Sequence, residues 1–243
     1  MYKKFLICVC GIYQDFLEKK QISFRGCEIN KGYLITFCGG EGAGKSTQLI
    51  ETAGFFEEKD IDYIITKEPG GTGIGKDIRK ILLSPENDGI DYKAELFLYL
   101  ADRAEHYFKV ILPAVEKNMV VLCDRFIDST YVYQGYAKGL DTDFIKEAHR
   151  FIFGDFVPDI TFLLDIAPLK GMERIHKDFE SGRRNIDESR FDNEKIEFHE
   201  KIRNGFLELA KQDKDSRFYI IDASENKEIV SDEIKKILSE KIL

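Results

Sequence analysis

The run Gly39-Gly40-Glu41-Gly42-Ala43-Gly44-Lys45-Ser46 constrains this chain more than any other feature. It fits G-x-x-x-x-G-K-[ST], and its surroundings suit that pattern. The apolar, β-rich run Tyr33 to Cys38 (YLITFC) precedes it, and a stretch that reads as a helix, Lys45 to Glu58, follows. Glycines allow positive φ angles, so backbone N–H groups can turn inward around an anion. The helix N-terminus adds partial positive charge where a phosphate would sit. Lys45 is expected to reach the outer phosphates of a nucleotide, and Ser46 to hold Mg²⁺. The plainer reading of the same residues is a tight glycine turn with no ligand.

The rest of the chain alternates. Asp62 to Thr66, Met119 to Cys123, Asp159 to Leu164 and Phe218 to Ile221 read as strands. Gly75 to Leu83, Asp91 to Glu116, Asp141 to Phe153, Pro168 to His176, Asn193 to Lys211 and Glu225 to Leu243 read as helices, with Pro113 bending or breaking the second. Lys177 to Ser189 reads as a polar stretch. Strands alternating with helices predict an α/β fold, a parallel sheet with helices on both faces. Near-continuous apolar strands agree with a sheet covered on both sides. Without a repeat or a low-complexity linker, residues 33–243 read as one domain and residues 1–32 as an extension. In that extension Lys3 and Lys4 precede an apolar run, Phe5 to Tyr13, in the manner of a short signal. No Ala-x-Ala site follows, and Gln14, Asp15, Glu18, Lys19 and Lys20 come at once.

Charge and cysteines narrow the function. Lys and Arg number 36 against 44 Asp and Glu, a net charge of −8 with His neutral. Such a chain is a poor general binder of nucleic acid or anionic membrane, so positive charge for phosphates must be local. It has no apolar run of about 18 residues that would span a membrane. Cys8, Cys10, Cys27, Cys38 and Cys123 are odd in number and form no paired CxxC elements, which favours neither a disulfide framework nor structural zinc. A reducing cytosol fits best.

The loop alone selects a nucleotide and leaves the reaction open. Asp124, ending the strand MVVLC, and Asp165, ending ITFLLD, are both placed to hold metal-bound water. Asp124 is preferred because Arg125 follows it and adds a phosphate-gripping fork. A GTPase would carry Asn-Lys-x-Asp, but Asn226-Lys227 runs into Glu228-Ile229. Mechanical ATPases usually have larger modules. A kinase needs a second phosphate site and a water-excluding lid, and candidates for both exist here. A nucleotide-binding protein without transferase activity is the alternative of a different class.

Four stretches together resemble bacterial thymidylate kinase, a P-loop nucleoside monophosphate kinase family. They are Gly39–Thr47 (GGEGAGKST), Lys67–Thr72 (KEPGGT), Asp124–Gly135 (DRFIDSTYVYQG) and Arg190–Asp192 before FHEKI. Their order and spacing match from about Tyr33 to the C-terminus. The resemblance implies a P-loop NTPase fold with a small lid at about residues 175–191. It implies a cytoplasmic enzyme, usually a homodimer, that converts ATP and dTMP to ADP and dTDP with Mg²⁺.

Residue roles follow from the same resemblance. Gly39, Gly40, Glu41, Gly42, Ala43, Gly44, Lys45, Ser46 and Thr47 bind ATP, with Arg174 packed on adenine and Ala223 to Asn226 completing that site. Ser46 and Asp124 hold the metal. Arg125 bridges donor and acceptor phosphates, and Arg79 grips the dTMP phosphate. Glu41 accepts the deoxyribose 3′-hydroxyl. Tyr99 stacks on thymine, Arg103 bonds its carbonyl oxygen and Thr130 contacts N3. Tyr133 crowds the 2′ position, and Pro69 lines the pocket. The phosphate loop has no arginine, so Arg183 and Arg184 in the lid are expected to be catalytic, with Arg190 at the lid end. Two positions depart from the family: Lys67 stands where Arg is frequent, and Phe126 where Tyr is common.

Overall fold

Side chains that alternate between two faces, both covered, leave the central strands buried almost throughout. The computed structural model describes residue 29, residues 31–182 and residues 189–243. Its strands are β1 (Tyr33–Cys38), β2 (Tyr63–Lys67), β3 (Val120–Asp124), β4 (Ile160–Asp165) and β5 (Phe218–Asp222). All pair in parallel, in the order β2-β3-β1-β4-β5, with Phe37 opposite Asp124 on one side and Phe162 on the other. Parallel neighbours need crossover connections, which helices supply. These are α1 (Lys45–Glu58), α2 (Gly73–Leu83), α3 (Tyr92–His106), α4 (Leu112–Val115), α5 (Ile127–Thr130), α6 (Thr142–Phe153), α7 (Pro168–Glu180), α8 (Ile196–Gln212) and α9 (Lys227–Lys241).

Ile35, Phe37, Val120, Leu122, Phe162 and Leu164 face α1 and α9, meeting Leu49, Ala53, Phe56, Val230, Ile234 and Leu238. The alternate residues Leu34, Val121 and Cys123 pack on Val110, Ile111 and Ala114. Cys38 and Leu163 pack on Ile202 and Phe206 of α8. This double burial is why the strands read as unbroken apolar runs.

Several boundaries differ from the sequence reading, each for a local reason. Helix α2 starts at Gly73 because the Thr72 hydroxyl caps it, accepting from the Gly75 N–H at 3.0 Å. The single long helix expected over Asp91 to Glu116 is α3, a π-helical turn (Tyr107–Ile111) and α4. The wider turn precedes Pro113, which has no N–H and would clash with the carbonyl four residues back. Helix α7 runs on to Glu180, past His176, and α8 starts after a 3₁₀ turn at Arg190–Asn193. Residues 127–137 carry chemistry in the sequence reading but show no element there. They form α5 and a π-helical segment (Tyr131–Ala137). The β-branched and aromatic residues there are weak helix formers, and no side chain caps the start. Tertiary packing holds it: a Cβ on Gly205 of α8 would lie 3.0 Å from Val132, so only a glycine admits this close approach.

Candidate active site

Four strands deliver site residues at their carboxyl ends. Behind β1 the phosphate loop bends through positive φ at Gly39 (137°), Gly42 (70°) and Gly44 (87°), the last preceding α1. Gly42 also has to be bare because α7 comes up against it, a Cβ there lying 2.1 Å from the Gly171 carbonyl oxygen. Lys45 Nζ donates to the carbonyls of Gly40 (2.7 Å) and Gly39 (3.3 Å), folded back inside the loop. Ala43 is buried, while Ser46 and Thr47 are exposed in the first turn of α1. Arg174 Nη1 reaches the Gly42 carbonyl at 3.4 Å. Gln48 Nε2 donates to the Lys227 carbonyl at 3.0 Å, which brings the segment after Ala223 beside α1. Within that segment Asn226 caps α9.

The two candidate acids separate. Ser46 Oγ donates to Asp124 Oδ2 at 3.1 Å, and Asp124 Oδ1 is buried with no hydrogen-bond partner. Asp165 is engaged by both oxygens with Arg203, at 2.7 and 2.8 Å. Asp165 is therefore one half of a bidentate ion pair, and the acid facing the phosphate loop is Asp124.

Arg125 follows β3 in the left-handed region, φ 69°, a conformation that costs a non-glycine residue about 1–3 kcal/mol and collects at functional sites. Its backbone N–H donates to the Phe37 carbonyl at 2.9 Å, which locks the turn to β1. Its guanidinium donates to Glu41 Oε1 (2.5 Å), the Tyr133 hydroxyl (3.2 Å) and the Gly39 carbonyl (3.4 Å). The Tyr133 hydroxyl in turn donates to Glu41 Oε1 at 2.9 Å. Glu41 is thus no loosely solvated loop acid. Burial works against the Arg125 charge, but Glu41, Tyr133 and Asp124 more than reverse this and raise its pKa.

Beside this triad opens a cleft of about 100 Å³. Glu41, Pro69, Arg79, Tyr99, Arg103, Arg125, Thr130 and Tyr133 all line it, so every residue expected around the acceptor nucleotide meets in one space. Tyr99 and Arg103 share a face of α3. Arg79, from α2, donates to the Pro69 carbonyl at 3.0 Å. Arg103 is fully buried and donates to Glu68 Oε2 (2.6 Å), Thr130 Oγ1 (2.7 Å), His149 Nε2 (2.9 Å) and the Phe126 carbonyl (3.2 Å). Burial pushes the Glu68 carboxyl up, yet Arg103 and His106 prevail and hold it below its ordinary value. Burial, then Arg103, push the His149 imidazole down to about 2, which leaves it neutral and able to accept. Burial, then Glu68, push the Asp102 carboxyl up to about 6.

Arg190 is buried, with Nε on the Leu82 carbonyl (2.6 Å) and Nη2 on Glu95 Oε2 (2.5 Å). Its fork ties α2 to α3. Arg183 and Arg184 lie outside the described residues. The sequence reading missed Glu68, Ser129, Gln134, Phe191 and Asp192 in the cleft wall. The first three stand inside the KEPGGT and DRFIDSTYVYQG stretches, so position within those runs was the available signal. The Ser129 hydroxyl is buried there without a partner.

A parallel sheet with a phosphate loop behind its central strand, an Asp-Arg turn and a second, arginine-lined cleft define a P-loop kinase of the nucleoside monophosphate type. The family model described as thymidylate kinase matches residues 37–234. The chain is 45% identical over 197 residues to the thymidylate kinase of Desulfovibrio desulfuricans, covering 81% of this chain and 90% of that one. It is 40% identical to that of Bacillus cytotoxicus, covering 88% of this chain and 100% of that one. The crystal structure of thymidylate kinase from Ehrlichia chaffeensis superposes with a TM-score of 0.67 at 31% identity, covering 86% of this chain and 99% of that one. The chain belongs to the thymidylate kinase family and is a phosphotransferase of nucleotide biosynthesis.

Proposed function

We propose that the chain moves the terminal phosphoryl group of ATP onto dTMP, releasing ADP and dTDP, and so feeds dTTP synthesis in the cytoplasm. The observation that carries this reading is the convergence of the acceptor-side residues in one cleft against the phosphate loop. The attacking atom is already a phosphate oxygen, so no strong base is required. The task is to hold two polyanions in line and offset their charge.

Lys45 and the loop N–H groups take the phosphates of ATP. Arg125 bridges donor and acceptor phosphates, a role supported by its contacts with both the loop acid Glu41 and the cleft residue Tyr133. Arg79 grips the dTMP phosphate, Tyr99 stacks on the pyrimidine, and Arg103 and Thr130 read its edge. Glu41 accepts the sugar 3′-hydroxyl, and Tyr133 crowds the position where a ribonucleotide carries its extra hydroxyl. Arg174 packs on adenine, and Arg183 or Arg184 closes on the transferring group from the lid.

The residues present fit a magnesium ion. Asp124 Oδ1 is a buried carboxylate oxygen lacking a partner, beside the Ser46 hydroxyl, and hard cations take oxygen donors. No group of three or more His, Cys, Asp or Glu suited to a metal exists among the described residues. That agrees with magnesium held by few protein groups plus phosphates and water. When bound, the ion offsets charge on the outer phosphates.

A coupled ADP-release assay across nucleoside monophosphates, with Mg²⁺ and with EDTA, tests the reading. Turnover on dTMP alone, abolished by EDTA, is the expected result. Equal or faster turnover on AMP, GMP or CMP refutes the specificity, and ATP binding without any transfer favours a silent nucleotide binder. A homodimer through α3 and α6 belongs to the proposal. The Phe97 and Phe144 rings meet 6.1 Å apart on that surface, and Phe151, two turns beyond Phe144, is 91% exposed. Sedimentation of the wild type and of Phe144→Glu tests it, the variant being expected to run as a monomer.

A further inference from the structure

Behind the cleft wall sit buried charges that phosphoryl transfer itself leaves without a task. Glu68 Oε1 lies 2.8 Å from His106 Nδ1, and His106 Nε2 lies 2.6 Å from Thr66 Oγ1. The other Glu68 oxygen accepts from Arg103 Nε at 2.6 Å. Asp102 accepts from the Gly70 N–H at 3.0 Å. The fit between α3 and the segment after β2 is tight, since a Cβ on Gly71 would lie 2.3 Å from the His106 ring. The same segment carries Pro69, whose carbonyl holds Arg79.

A guanidinium has five N–H donors in one plane. For Arg103, Nε goes to Glu68, the two hydrogens of Nη1 to Thr130 and His149, and one of Nη2 to the Phe126 carbonyl. One N–H is left on a side chain that lines the cleft. Because the group is planar, the bond at Nε sets the direction of that last donor.

We infer that Glu68 is a positioning residue for nucleotide selection. It aims the spare N–H of Arg103 at a pyrimidine carbonyl and, through Pro69, keeps base reading in register with the phosphate grip of Arg79. The inference rests on reading Arg103 as the base contact. Thymine carries a carbonyl where cytosine carries an amino group. An N–H held on that point welcomes the first and meets the second donor to donor, whereas a loosened arginine can turn away and tolerate either.

The test is steady-state kinetics of wild type and Glu68→Gln with dTMP, dCMP and ATP each varied. Glutamine keeps the shape and removes the charge. The KM for dTMP is expected to rise about 10- to 100-fold, as for loss of a charge-assisted hydrogen bond. The KM for ATP stays within about twofold, the mark of a loss confined to one substrate. The preference for dTMP over dCMP falls about tenfold, on the scale of discrimination carried by one hydrogen-bonding contact. Glu68→Asp, which keeps the charge, recovers part of the dTMP KM. An unchanged dTMP KM and preference overturns the inference, as do equal losses toward both substrates, which mark a general packing defect. If Glu68→Gln does not fold, His106→Gln, which releases the other Glu68 oxygen, is read by the same measures. Absence of dTMP turnover in the wild type would remove the underlying reading before any variant is compared.

Discussion

Removing Arg125 should inactivate the enzyme in a way that separates chemistry from folding. An arginine that stabilises charge in phosphoryl transfer is worth about 10³–10⁵ in turnover, or about 4–7 kcal/mol of barrier. Part of that loss has a second origin here. Arg125 is paired with Glu41, whose side chain is only 14% exposed. Without the arginine, a poorly solvated carboxylate faces the incoming phosphates, a cost of about 1–3 kcal/mol. Arg125→Ala should therefore lose the whole range, and Glu41→Gln added to it should restore about tenfold or more by removing the bared charge. Stability should follow a different order. At φ 69° alanine is strained and glycine is not, so Arg125→Gly should be more stable than Arg125→Ala by about 1 kcal/mol while equally inactive. Single-turnover kinetics and urea unfolding measure the two quantities. Near-normal turnover in either variant refutes the bridging role. No gain from Glu41→Gln refutes the charge argument, and a less stable glycine variant refutes the backbone argument.

Gly171→Ala places a Cβ 2.4 Å from the Glu41 carbonyl oxygen. It should destabilise the fold by about 1–3 kcal/mol, seen in thermal melts, and raise the KM for ATP by moving the phosphate loop. Alanine at Arg183 or Arg184 should lower kcat by orders of magnitude for whichever closes on the reacting phosphates; full activity of the double variant would remove the lid arginines from the mechanism. Asp102 ionises at about 6 when folded against an ordinary 3.8, so the folded state keeps the proton longer and stability falls as pH rises from about 4 to about 6. Asp102→Asn, which keeps an acceptor for the Gly70 N–H, should stabilise the protein above pH 6 by on the order of 2 kcal/mol and by nothing near pH 4; equal denaturation midpoints at both pH values contradict this.

What the sequence disclosed depended on how local the physics is. The phosphate loop is legible because the strand, glycines and helix start that form it are contiguous, and Asp124 stands out through the Arg125 beside it, although its contact with Ser46 spans 78 positions. Asp165 competes with Asp124 as a metal candidate in sequence, because its partner, Arg203, arrives from α8, 38 positions away. Nothing near Asp165 in the chain announces that pairing. The same limit hid Glu68 and His149, whose partner Arg103 lies 35 and 46 positions off. The π-helical turns escaped because their hydrogen bonding departs from the 3.6-residue period, and packing against α8 and the sheet decides them. The Arg190–Glu95 pair is likewise invisible in the chain: Glu95 is a helix residue that looks solvent-bound in sequence and is fully buried in the fold.

The two arginine–glutamate pairs of the cleft differ in a way that fits their tasks. A cleft built for polyanions must carry positive charge before any ligand arrives, and each acid holds an arginine in place meanwhile. Glu68 is 1% exposed and bonded on both oxygens, so Arg103 cannot trade it for a nucleotide without leaving a buried charge unpaired. Glu41 lies on the phosphate loop at the cleft edge, where a sugar hydroxyl can take the place of the arginine as its donor while Arg125 turns to phosphate. On the proposed roles, the base-reading arginine is then fixed and the phosphate-handling one exchangeable, as needed when the base stays still and the transferred group moves. Structures with dTMP alone and with both nucleotides should show the Arg125 guanidinium leaving Glu41 while the Arg103–Glu68 bond keeps its length. A displaced Arg103 with an undisturbed Arg125 would reverse the assignment.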